Sequence, residues 1–248
     1  MPIWLQAGLW ALLGASALIL GAALAYIFAF PKRLVAGIMA FGCGVLISAV
    51  AYDLVLEGFE QGGIWPIAGG ALGGSLVYTI ANFLVVRAGG KHRKRSDDKQ
   101  TDAQAGGGVA IAIGSLLDGI PESLVLGVGM LNGSGVSLPL LAAIFLSNLP
   151  EGLSSASGMK QAGRSQTYVF GLWTGIALLS GGAAMLGAAL LGDADPGLLA
   201  LVNAFAAGGL LTMIADTMIP EAVEGEHDGT GLLVVLGLLA AFALSQAG

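Results

Sequence analysis

The chain has 248 residues, of which 56% are hydrophobic and only 10% charged, with 41 glycines, a formal charge of −6 and a mean hydropathy of +0.84. That balance excludes a water-soluble domain of this length and leaves a polytopic membrane protein. The acids are scattered over spans and loops, so the negative charge points to no particular partner, and the single cysteine, Cys43, excludes an internal disulfide framework and reads as a small packing residue.

A bilayer span needs about 20 mainly apolar residues. In chain order the predicted spans are 3–30, 34–56, 64–86, 107–130, 136–159, 166–191, 198–219 and 231–244, which together form one all-α transmembrane domain over residues 1–248. The first run is too long for a signal-peptide core. It ends in Phe30-Pro31-Lys32-Arg33 instead of a small-residue cleavage site, so it reads as a retained span. The last is the shortest and needs snorkelling ends or local thinning of the bilayer. Turns join the spans, except at residues 87–105, a polar loop that divides three spans from five.

Gly69 and Gly73, Gly70 and Gly74, and Gly171 and Gly175 form small-x-x-x-small patterns that let helix backbones approach closely. The ten basic residues all fall on alternate connections: Lys32 and Arg33; Arg87, Lys91, Arg93, Lys94, Arg95 and Lys99; and Lys160 and Arg164. The positive-inside rule makes that side cytoplasmic and places both termini outside. Topology accounts for the basic run after span three, so nucleic acid is not an expected partner; the lipid bilayer is. A homodimer is left open.

Within these apolar runs lie three Pro-Glu pairs, in Asp118-Gly-Ile-Pro121-Glu122, Ser147-Asn148-Leu-Pro150-Glu151 and Asp216-Thr-Met-Ile-Pro220-Glu221. An ionised carboxylate at mid-membrane costs about 2.5–3.5 kcal/mol on the insertion scale, so several on consecutive spans are expected to have a use, and the simplest is to hold a cation. On a helix Ser115, Asp118 and Glu122 share one face, and Asn148 and Glu151, continued by Ser154 and Ser155, share another. The short connection around 132–135 makes spans four and five expected antiparallel neighbours with facing polar stripes. Pro121 and Pro150 free the carbonyls of Leu117 and Leu146, which can add ligands. Three carboxylates carry a charge of −3, which a divalent cation reduces to −1. The alternative is a buried polar network with one or two carboxyls protonated. Asp53, Glu57 and Glu60 mark either an external mouth or ordinary interface acids, and residues 221–228 either an ion-receiving segment or a solvated loop.

Taken together, these motifs resemble the ZIP (Zrt/Irt-like) family of divalent-metal transporters, and the resemblance covers essentially the whole chain. In that family span four typically reads His-Asn-x-Pro-Glu-Gly, span five carries a related Pro-Glu-Gly motif, and span seven often ends His-Glu-x-x-Pro-Glu. The stretches matching them begin at Asp118, Ser147 and Asp216. The resemblance implies a ZIP-like bundle of eight helices that takes a divalent metal cation into the cytoplasm across the cell membrane. The metal site it implies comprises Asp118, Glu122, Ser147, Asn148, Glu151 and Asp216, with no resident cofactor and no enzymatic activity. Asp118 and Gly119 replace the motif's histidine and asparagine, and Ser180 stands where span six often carries a second-site carboxylate, so one metal site or two stays open. Oxygen-only ligation favours manganese or ferrous iron, while the resemblance favours zinc, which is the ion expected here.

Two other classes compete: a proton- or cation-coupled transporter of a non-metal substrate, and a non-transporting membrane protein with a degenerate site. An intramembrane hydrolase is disfavoured because no span carries a histidine and neither Asp118 nor Asp216 lies in a Gly-x-Gly-Asp stretch. The topology has a direct test by cysteine labelling. Ser96→Cys is expected to react with a membrane-impermeant thiol reagent only after cells are opened, and Gln61→Cys in intact cells; labelling at 96 in intact cells overturns the orientation.

Overall fold

The computed structural model describes residues 1–90, 108–132, 135–224 and 229–247. Most of the expected 87–105 loop, including Lys91, Arg93, Lys94, Arg95 and Lys99, falls outside the described residues, as do the middle of the 132–135 connection and residues 225–228. So do both histidines, His92 and His227.

Every described element is helical. Eight long helices follow one another: α1 (Ile3–Ile27), α2 (Lys32–Gly62), α3 (Ile64–Gly90), α4 (Gly108–Gly129), α5 (Leu138–Gln161), α6 (Gln166–Leu190), α7 (Pro196–Met213, continuing through Ile214–Met218 and Ile219–Glu224) and α8 (Thr230–Ala247). Local chemistry sets several starts. Ser137, Ser165 and Asp195 accept hydrogen bonds from the backbone N–H of Leu140, Tyr168 and Leu198 at 3.1–3.2 Å, and Pro196 occupies the first turn of α7, where its missing N–H costs nothing. Gly63, with φ of 74°, makes the tight link between α2 and α3 that a side chain would strain.

The chain is an all-α polytopic membrane protein. Among the described residues, six helices, α1, α2, α3, α4, α6 and α7, are long and apolar enough to cross a bilayer. Helix α5 is long enough, with 24 residues, but its polar face lowers its hydropathy; α8 is apolar and shorter. The distribution of side chains inverts that of a soluble protein. Leu72, Leu76, Leu178, Leu186, Leu190 and Leu232 lie on the outside, whereas Asp118, Glu122, Asn148 and Glu151 are buried.

The helices pack as two groups. Helix α1 runs along both α5 and α6, and α4 lies on α6; α3 pairs with α7 and α2 with α8, while α2 also touches α7. Smaller contacts, chiefly of α2 with α5 and of α4 with both α3 and α7, join the groups. Helices α4 and α5 meet at only a few residues, so the expected packing of spans four and five side by side is not what forms. Both are held by other partners, α5 by α1 and α4 by α6, because that is where the small residues are.

Glycine contacts make each pairing close. A Cβ on Gly74 would collide with the carbonyl of Phe205, and one on Gly208 with that of Ala71, which locks α3 to α7. Gly21 and Gly152 do the same reciprocally for α1 and α5, and Gly44 and Gly237 for α2 and α8. Of the two overlapping patterns in α3, the one that packs is Gly70 and Gly74; Gly69 meets no neighbour within 4 Å. Gly171 and Gly175 also meet none, so the expected close approach at that pair does not occur within this chain. Because overpacking a tight interface costs about 1–3 kcal/mol or more, Gly74→Leu is expected to lower the melting temperature of the detergent-solubilised protein by several degrees, with little change for Gly171→Leu. Equal melting of the two variants would contradict this packing.

Candidate functional site

Two helices carry the buried polar groups. On α4, Ser115, Asp118, Glu122 and Ser123 are buried; on α5, Ser147, Asn148, Glu151, Ser154 and Ser155 are. Both helices continue past their prolines, Pro121 and Pro150, as flanking helices can shelter the disturbed backbone. Gly42 of α2 lies close to the Leu146 carbonyl that Pro150 leaves without a donor, the position of its absent Cβ being 3.6 Å from that oxygen.

The described hydrogen bonds show how these side chains are held. Asn148 donates through Nδ2 to the Gly14 carbonyl of α1 at 3.3 Å, leaving its amide oxygen as a ligand-type atom. Ser147 donates back to the Ile144 carbonyl at 3.0 Å and Ser123 to that of Gly119 at 2.8 Å, so each hydroxyl spends its proton locally and keeps oxygen lone pairs. Tyr78 of α3 donates from its hydroxyl to Asp118 Oδ1 in a short, buried contact. Ser154 donates to Glu221 Oε1 on α7 at 3.1 Å.

Of the six residues expected at the site, five are buried: Asp118 and Glu122 on α4, and Ser147, Asn148 and Glu151 on α5. Asp216 is not among them. It lies in the π-helical segment Ile214–Met218 and is exposed, and it is Glu221, five residues on, that reaches α5. Two residues outside the expected set touch the polar stripes: Tyr78 bonds Asp118 of the set, and Glu221 bonds Ser154, which continues the α5 face. The third Pro-Glu pair already marked Glu221. Tyr78 follows Gly70 and Gly74 at intervals of four, the spacing of one helix face. On the far side of α4, Gly119 faces α6, where a Cβ would stand 3.2 Å from Ser180 Oγ; that buried hydroxyl has no hydrogen-bond partner among the described residues. Asp53 is half-buried in a second π-helical segment, Val50–Leu56, and Glu57 accepts from Gln61 Nε2 at 3.0 Å.

Among the described residues, no three Asp, Glu, His or Cys side chains form a group that could hold a metal ion. A cation bound in this conformation would need neutral oxygens beside its carboxylates, and Asn148, Ser147 and Ser154 are the neutral oxygens on the same helix as Glu151. Oxygen-only shells suit hard divalent cations.

Comparison with known proteins adds one relationship. No family model matches the chain. Over 185 residues, 73% of its length, it is 31% identical to an Arabidopsis thaliana protein named "Putative zinc transporter". The chain spans about 29% of the length of that relative. Buried carboxylates in a multi-pass bundle and similarity to a protein named for zinc transport thus occur together.

The contact between α5 and α7 is open to a double-mutant cycle. Ser154→Ala and Glu221→Gln are expected to be non-additive in thermal stability by about 0.5–3 kcal/mol, the usual range for groups in one hydrogen-bond network. Additive effects would show that the two side chains do not meet.

Proposed function

We propose that this chain is a transporter of the ZIP type that carries a divalent metal cation, zinc first among them, across the cell membrane into the cytoplasm. The observation that carries this reading is the burial of Asp118, Glu122 and Glu151 inside a bundle whose outside is hydrocarbon. Carboxylates placed there are costly without a use, and in membrane proteins such groups mark ion pathways. The relative's name supports metal transport and, with it, a non-enzymatic role.

In this reading the ion is substrate. Asp118 and Glu122 of α4 and Glu151 of α5 supply charge, Asn148 and Ser147 supply neutral oxygens, and Asn148 is oriented by its bond to α1. Glu221, bonded to Ser154, extends the same oxygen face of α5 towards α7, where an ion leaving the carboxylates meets a further anion.

The oxygen-only donors keep manganese and ferrous iron as competitors of zinc. Uptake of zinc, manganese, iron and cadmium into vesicles containing the purified protein decides among them, and uptake of none overturns the proposal in favour of a non-transporting protein. Glu122→Gln or Glu151→Gln is expected to reduce uptake to background while the protein stays folded, with a modest gain in metal-free melting temperature because one buried charge is gone. Near-normal uptake by either variant places the pathway elsewhere.

A further inference from the structure

We infer that Tyr78 is a positioning residue for ion binding, whose hydroxyl, brought by α3 from one helix group, holds the Asp118 carboxylate of α4 in the other; this rests on the transport reading above.

Three observations carry it. Helix α3 mostly faces outward, with Leu72, Leu76, Val77 and Ile80 exposed, yet Tyr78 is only 2% exposed. The small residues at positions 70 and 74 on the same face let α3 lie against the backbone of α7 at Leu201 and Phe205, which is what brings the phenol within reach of α4. The hydroxyl then donates to Asp118 Oδ1, a residue 40 positions away in the chain. The ring itself borders an apolar cavity shared with Val77, Leu117, Ile120 and Phe205, so packing is met by the ring alone. What the tyrosine adds over a phenylalanine is the donor.

The chemistry of that donor suits a ligand-orienting role. An ionised carboxylate has about four lone-pair sites, of which the Tyr78 hydrogen bond takes one while restraining rotation of the group. Carboxylates that bind metals are commonly themselves hydrogen-bonded, and losing such a partner typically weakens metal affinity about 10- to 100-fold.

The test measures zinc uptake as a function of concentration in vesicles containing the full-length protein, together with zinc binding to the same preparations in detergent. Tyr78→Phe keeps the ring and removes the donor. It is expected to raise both the half-saturating zinc concentration and the dissociation constant about 10-fold or more, with a maximal rate within about twofold of wild type. Ser75→Ala is the control. It removes another α3 hydroxyl, the one that accepts from Thr212 Oγ1 at 2.8 Å in the α3–α7 contact, and is expected to leave half-saturation unchanged. Unchanged half-saturation in Tyr78→Phe overturns the positioning role, whether or not the maximal rate falls, and so does an equal weakening in Ser75→Ala, which would trace the effect to α3 packing. A wild type that takes up and binds no divalent ion overturns the transport reading and this role with it, whereas a transporting wild type with an unaltered Tyr78→Phe overturns only the role of Tyr78.

Discussion

Everything in this structure depends on keeping carboxylates away from hydrocarbon while leaving them inside the membrane. An acid facing lipid has no partner, and an acid facing another helix has one only if that helix brings an oxygen or a donor to it. Asp118 has the Tyr78 hydroxyl, and Glu221 has that of Ser154. The helices that supply these groups come from both halves of the bundle. The polar interior is thus a property of the tertiary arrangement, and no single span could bury its own acids.

Lipid offers no hydrophobic drive to press one helix on another, so close packing has to come from shape. The reciprocal glycines are that shape. They set α1 against α5, α3 against α7 and α2 against α8, backbone to backbone, and leave larger side chains to cover the outside. The same pairs decide which residues become neighbours at the site, because a helix brought this close presents whatever sits four residues further along. Asn148 meets the Gly14 carbonyl on the face where Gly152 meets Leu18, and Tyr78 follows Gly74.

Much of this was legible from residue order. The helical class follows from runs of apolar residues and the buried acids from Pro-Glu pairs within those runs, and five of the six expected site residues are buried, as polar groups in a bundle with an apolar exterior turn inward. What periodicity could not supply is which helix faces which. The short link between spans four and five suggested direct packing, but connection length limits distance without selecting partners, and steric fit sent α5 to α1 and α4 to α6. Gly171 and Gly175 have the spacing of a packing pair without a partner in this chain, because the pattern records what is permitted and the opposing surface decides what is used. Asp216 came from the resemblance's span-seven motif, which fixes residue order and not orientation: it lies exposed in a π-helical segment, and Glu221 of the same motif is the residue that reaches α5.

That irregular turn in α7 has a consequence for how one helix serves two neighbours. Before it, Gly208 lies against the backbone of α3; after it, Glu221 reaches Ser154 of α5. One residue advances an α-helix by about 100°, and a π segment absorbs an additional residue without ending the helix. The segment therefore works as a phase shift between two binding stripes, the first made of glycine for a tight seam and the second ending in a carboxylate. Shortening it by one residue would leave either stripe intact in composition and set them out of register with their partners, so the spacing between Gly208 and Glu221 is as much a part of the molecule's design as the two residues themselves.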